Sequence, residues 1–132
     1  MSTEKPNIFP AFRYKNAPKA IAWLVDAFGF EQRFVVPGPD DTIAHAQLTL
    51  GSGLIMLGSL PGEPDPDNPW DAVRYGTYIH VPDIEAQYAR ARAAGARIVR
   101  ELQDTEYGSR EFSVEDLEGN LWSFGTYDPL AE

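Results

Sequence analysis

Two pairs of glycines constrain the fold more than any other feature. Gly29 and Gly95 are 66 residues apart, and so are Gly53 and Gly119. Gly29 and Gly95 each follow an apolar helical pattern, where a left-handed residue closes a helix. Gly53 and Gly119 each stand at a turn between strand-like runs, where positive φ costs glycine little. The same order of helix and strands surrounds both pairs, so the chain reads as two copies of one unit.

In the first copy, residues 7–14 read as a strand. Pro10 removes a backbone donor from it, which suits an edge strand or a local irregularity. Asn16 is an N-cap and Pro18 falls in the first helical turn. Ile21, Leu24, Val25 and Phe28 then follow at i, i+3, i+4 and i+7, one apolar helix face. Residues 30–36, 42–50 and 54–58 read as strands. Pro37-Gly38-Pro39-Asp40-Asp41 marks a turn. Residues 60–69 carry four prolines and three acids, which excludes a helix or a central strand and leaves a long connection ending at Trp70. In the second copy, residues 76–81 are a strand and Asp83 caps a helix with Ile84, Tyr88 and Ala91 on its apolar side. Residues 96–101 are a strand, 102–109 a loop and 110–114 a strand. Glu118-Gly119-Asn120 then turns the chain into a last apolar strand. The expected fold class is α+β: two βαβββ repeats forming a curved mixed sheet around a concave cavity, with the helices outside. The expected organisation is a single domain over residues 1–132, with repeat one at 7–59, a linker at 60–75 and repeat two at 76–127.

Composition narrows the partners. Apolar residues make up 43% and charged residues 23%, a soluble globular mix. No apolar run reaches the length of a membrane span. Met1-Ser2-Thr3-Glu4-Lys5-Pro6 lacks a leader's apolar core, so no signal peptide is expected. The absence of cysteine removes disulfides, thiolate metal sites and a Cys nucleophile, and fits a cytoplasmic protein. Net charge is −9, with no basic stripe for a nucleic acid. Residues 1–66 carry 5 Lys/Arg against 7 Asp/Glu, and residues 67–132 carry 6 against 13. This excess is read as solubility.

Two stretches carry a resemblance. Ile43-Ala44-His45-Ala46-Gln47-Leu48-Thr49-Leu50 leads into Gly51-Ser52-Gly53-Leu54-Ile55-Met56-Leu57, and the second is Asp116-Leu117-Glu118-Gly119-Asn120-Leu121-Trp122. Together with the layout of residues 7–127, they resemble the glyoxalase/bleomycin-resistance/dioxygenase family, the vicinal oxygen chelate superfamily, and within it the antibiotic-resistance-like proteins. In the family's metalloenzymes, the first and last strands of each half supply metal ligands. The resemblance carries those positions onto Phe9 and Met56 in the first half, and onto Gly76 and Ser123 in the second. None is an imidazole or carboxylate. The neighbours Ile8, Pro10, Leu57, Tyr75, Thr77, Trp122 and Phe124 offer nothing better. No metal and no cofactor is therefore expected, and neither is glyoxalase or metal-dependent dioxygenase activity. The resemblance also implies a homodimer.

No catalytic constellation stands out. His45 and His80, the two histidines, either bond neighbours at strand ends or meet as an incomplete metal pair. No nucleophile elbow or phosphate loop is present. Asp104-Thr105-Glu106 and Glu115-Asp116 pair carboxylates in loop and turn contexts, as solvated charges do. The aromatic content, 3 Trp, 6 Tyr and 7 Phe, says more. Phe12, Trp122 and Phe124 have the phase of core residues. Phe9, Ala11, Arg13, Met56, Tyr78, His80, Leu121 and Ser123 have the opposite, concave-side phase. Trp70 and Tyr107 lie in loops that can close over that side. The candidate ligand-binding residues are Phe9, Arg13, Met56, Trp70, Tyr78, His80, Tyr107 and Ser123. Arg13 holds a ligand carboxylate, stacks on a planar ligand, or forms a salt bridge; Trp70 covers the cavity or packs the loop. The expected function is metal-independent binding or sequestration of a small planar or aromatic ligand, an antibiotic among the possibilities. One alternative is a lyase or isomerase using His80, Tyr78 or Arg13. The other is an interaction module whose cavity is filled by Phe9 and Met56.

Overall fold

A computed structural model describes residues 6–130. The leader-free reading of the N-terminus falls on residues that lie largely outside that range. The elements are β1 (Ala11–Tyr14), α1 (Ala17–Phe28), β2 (Glu31–Pro37), β3 (Ile43–Leu50) and β4 (Gly53–Ser59), then β5 (Gly76–His80), α2 (Ile84–Ala93), β6 (Arg97–Asp104), β7 (Arg110–Glu115) and β8 (Leu121–Gly125). This is the α+β class with two βαβββ units. The chain divides into two compact units meeting in sequence at Val73 and Arg74, with Asp26–Phe28 at the end of α1 counted in the second. No helix among the described residues is long and apolar enough to cross a membrane.

In the first unit the strand order is β1-β4-β3-β2, with β1 parallel to β4 and the other pairs antiparallel. The chain enters α1 as the sequence requires. Asn16 Oδ1 accepts from Lys19 N at 3.1 Å, supplying a partner to one orphan amide of the first turn. At the other end Gly29 adopts φ 88°, and Gly29 N and Phe30 N donate to Val25 O and Leu24 O. Ala17, Ala20, Ile21 and Leu24 are buried on the helix, and Phe12, Tyr14, Ala46, Leu48, Ile55 and Leu57 on alternate strand positions. These apolar surfaces are the unit's core. The expected first strand is shorter than its sequence pattern, since residues 7–10 are not paired as strand; Pro10 lends only its carbonyl, to Met56 N. The proline-rich connection is folded on itself around Asp71. The Asp71 carboxylate accepts from Asp65 N and Asn68 Nδ2, and Asn68 Oδ1 accepts from Trp70 N.

The second unit repeats the topology as β5-β8-β7-β6, again with one parallel pair, β5 and β8. Ala11 faces Met56 where Tyr78 faces Ser123, and Arg13 faces Gly58 where His80 faces Gly125. The parallel strands therefore repeat at an offset of 67, one more than the glycine pairs, whereas Gln47 and Ser113 on the strands beside Met56 and Ser123 keep the offset of 66. The first hairpin also departs from the glycine pattern. Its left-handed glycine is Gly51 (φ 58°), whereas Gly53 is the first residue of β4. Gly29, Gly95 and Gly119 have the positive φ expected of them.

The second core is aromatic. Phe112, Phe124 and Trp122 are fully buried. Phe112 and Phe124 stack at 5.0 Å, and Phe28 meets Phe124 edge-on at 4.8 Å and Trp122 at 5.4 Å. On α2, Ile84 and Ala91 are buried, while the Tyr88 ring packs edge-on against Phe112 and its hydroxyl donates to Glu101. The β7–β8 turn is built on a buried carboxylate. Asp116 accepts from Glu118 N at 2.9 Å, Asn120 N at 3.0 Å, Asn120 Nδ2 at 3.2 Å and Trp122 Nε1 at 3.1 Å. Asn120 Oδ1 in turn accepts from Tyr75 N, just ahead of β5.

Replacing Asp116 by Ala strands these donors, two of them on buried side chains, and is expected to cost about 2–4 kcal/mol of stability. Asp116→Asn, which keeps some acceptors, should cost less. Urea unfolding followed by tryptophan fluorescence measures both; a loss below about 1 kcal/mol for the alanine variant would mean the turn does not depend on this carboxylate.

Candidate functional site

The second sheet has two unlike faces. Trp122, Phe124, Phe112 and Val114 point into the core. The alternate positions make the other face, with Gly76 and Tyr78 on β5, Leu121 and Ser123 on β8, and Glu111 and Ser113 on β7. A cavity of about 590 Å³ opens on this face, within the usual range for small-molecule sites. Its floor is made of small groups. Ser123 lies there, its Oγ sharing a hydrogen bond of 2.7 Å with Ser113 Oγ on the neighbouring strand, and Gly76 contributes no side chain. Its walls are Tyr78, Leu121, Tyr107 from the β6–β7 turn and Tyr127 after β8.

Gly125 explains how two of these groups come so close. A Cβ on Gly125 would lie 2.6 Å from Tyr78 Oη and 2.7 Å from Glu111 Cγ. Glycine at this position of β8 lets the Tyr78 ring and the Glu111 stem cross the strand side by side. Tyr78 Oη then donates to Tyr127 O at 2.6 Å, and Tyr127 N donates to the buried Ser109 Oγ at 3.1 Å. These bonds tie the segment after β8 to the sheet and position the Tyr127 ring.

Glu111 is 5% exposed. One of its oxygens accepts from Tyr107 Oη at 2.9 Å, and Arg100 Nη1 approaches that oxygen at 3.8 Å, beyond hydrogen-bond range. The Tyr107 phenol is raised above its ordinary pKa, first because it donates to this carboxylate. The Tyr78 phenol is raised too, first by burial of the ring, with the negative charge of Glu111 adding to the effect. Both phenols are therefore neutral donors near pH 7, and both protons are already committed to internal acceptors.

Of the residues expected at a site, Tyr78, Tyr107 and Ser123 line this cavity. Tyr107 stands in a tight hairpin rather than the long loop expected over residues 102–109. The strand β6 runs on to Asp104, and Thr105 N and Ser109 O close the turn at 2.7 Å. His80 is exposed on β5 beside Gly125 and is not among the lining residues. Phe9, Arg13, Met56 and Trp70 belong to the first unit. There Met56 is partly buried beside Ala11, Arg13 is exposed beside Gly58, and Phe9 and Trp70 are 39% and 55% exposed. Sequence reasoning missed Glu111, Gly125 and Tyr127. Glu111 had a readable signal, a charge alternating with Phe112 and Val114 in a strand.

The expected metal positions do not fit a metal. Phe9, Met56, Gly76 and Ser123 offer a phenyl ring, a thioether, no side chain and a neutral hydroxyl already bonded to Ser113. Among the described residues no three His, Cys, Asp or Glu side chains converge on one point. His45 and His80 lie in different units; His45 bonds Gln47 Nε2 and packs beside Phe34.

Comparison with known proteins agrees with this architecture. The family model described as Glyoxalase/Bleomycin resistance protein/Dioxygenase superfamily matches residues 9–124. The uncharacterized protein Mb0911c of Mycobacterium bovis is 31% identical over 126 residues, covering 92% of this chain and 83% of its own length. The crystal structure of TioX from Micromonospora sp. ML1 superposes with a TM-score of 0.79 at 32% identity, over 91% of this chain and 97% of TioX. A glyoxalase-related enzyme from Clostridium phytofermentans shares the fold, with a TM-score of 0.69 at 15% identity over 95% of each chain. By the profile match and these relatives, the chain belongs to the glyoxalase/bleomycin resistance protein/dioxygenase superfamily.

Proposed function

We propose that the protein binds a small, partly aromatic molecule without a metal, in the cavity on the open face of the second sheet. The observation that carries this reading is the pairing of a tyrosine-walled cavity of about 590 Å³ with a floor of small groups, Gly76 and Ser123, and one buried carboxylate, Glu111. Such a mix of aromatic wall and few fixed polar groups suits a ligand site. The unsuitable donor set at the family's metal positions supports binding over metal chemistry. Sequestration of an antibiotic is the role this reading favours, in keeping with the resistance branch of the superfamily. In the same reading the two repeats form one domain, and the protein works as a cytoplasmic homodimer. The lyase or isomerase alternative is weaker, since Tyr78 alone of His80, Tyr78 and Arg13 lines the cavity. The interaction-module alternative, with Phe9 and Met56 as filling residues, draws no support from the lining of this cavity.

A thermal-shift screen of aromatic small molecules in the presence of a strong chelator tests the binding claim. Ligands should stabilise the chelated protein, and Tyr78→Ala should weaken them about tenfold by removing a cavity wall. Hits that vanish in chelator and return with Zn²⁺, Ni²⁺, Mn²⁺ or Fe²⁺ would contradict metal independence.

Gly125→Ala gives a separate check. The added methyl must displace Tyr78 or Glu111, so stability should fall by about 1–3 kcal/mol and ligand affinity should fall with it. A variant with unchanged stability and unchanged affinity would show that the close crossing at Gly125 does not shape the cavity.

A further inference from the structure

We infer that this cavity recognises its ligand through an alkylated ammonium group, held among the faces of Tyr78, Tyr107 and Tyr127 beside the Glu111 carboxylate. The inference rests on the cavity being a binding site, and adds the charge and shape of what it takes.

The ring geometry comes first. Tyr107 and Tyr127 lie 6.4 Å apart at 85°, and Tyr78 and Tyr127 lie 6.5 Å apart at 55°. Walls inclined this steeply do not form a parallel slot for a flat ring. Ring faces turned in different directions suit a compact, rounded cation, which draws on the negative face of each ring.

The hydrogen-bonding inventory points the same way. The Tyr78 hydroxyl is spent on Tyr127 O and the Tyr107 hydroxyl on Glu111. Those two walls thus present π-faces rather than free donors, which disfavours an anion. Glu111 is under-compensated for a buried carboxylate, with one phenol donor and an arginine that stays at 3.8 Å. Its other oxygen accepts no hydrogen bond among the described residues, and that oxygen is not sealed from solvent. A largely buried carboxylate with one oxygen open and unbonded gains from a cation brought alongside. Arg100, whose side chain is 45% exposed, competes weakly for it. The net charge of −9 favours the approach of cations over anions.

Three probes of one shape test this by NMR titration of the full chain: choline, the neutral isostere with carbon in place of nitrogen, and the carboxylate of the same branched skeleton. Choline should bind about tenfold more tightly than the neutral isostere, perturbing Tyr78, Tyr107 and Tyr127, and the carboxylate should bind more weakly than either. Glu111→Gln should erase the advantage of choline, while Arg100→Gln should enlarge it. Damage to the fold weakens all probes alike, so the opposite signs of the two variants separate charge recognition from instability. Equal binding of choline and the neutral isostere, or tighter binding of the carboxylate, would overturn the inference and leave the cavity a ligand site. If no probe binds at millimolar concentration the inference also fails. Ligands still found in the chelated aromatic screen would then keep the binding-site reading, and their absence would remove it.

Discussion

The carboxylate of Asp116 is the interaction on which the second unit depends. It is buried, and it gathers two amides of its own turn, the Asn120 side chain and the indole of Trp122. Charge-assisted bonds of this kind hold a turn far more firmly than turn propensity alone. The consequence is directional. With Trp122 drawn inward by its N–H, the alternation of β8 puts Phe124 inward too and leaves Leu121 and Ser123 on the open face. Asn120 carries the same constraint to Tyr75, which fixes the entry of β5 beside β8 and aligns Tyr78 with Ser123.

The two units share this frame and spend it differently. The matching row reads Ala11, Met56 and Gln47 in the first sheet, and Tyr78, Ser123 and Ser113 in the second. In the first, Gln47 is engaged by Arg33 and His45, and a long thioether occupies the centre of the row. In the second, two small hydroxyls lower the centre and an aromatic ring raises the edge. A trough follows from side-chain volume alone, with no change in backbone topology. Gly125 completes it, because its missing Cβ lets a tyrosine and a glutamate cross the strand together. Fold and cavity therefore have separate determinants, as expected where function is grafted on a common scaffold.

Much of the architecture was legible because it is written in local chemistry. Asn16, Asp83 and Gly29 cap helices as their types predict, and the inward phase of Phe12, Trp122 and Phe124 follows from alternation. The errors have local causes as well. Gly53 looked like the turn glycine because Gly51-Ser52-Gly53 holds two, and sequence alone does not say which takes positive φ. The strand β6 was cut short because irregularities around Arg100 break its alternation. The site was half legible. Tyr78, Tyr107 and Ser123 were found by phase and position, whereas Gly125 acts through a distance of closest approach and Tyr127 through a tail held by hydrogen bonds. Neither is a pattern in the chain.

Backbone chemical-shift mapping with a ligand from the chelated screen tests the central claim most directly. Shifts concentrated at Tyr78, Tyr107, Glu111, Ser123 and Tyr127, with chelator present throughout, are what the account predicts. Shifts centred on Phe9, Arg13 and Met56, or shifts that require added metal, would contradict it.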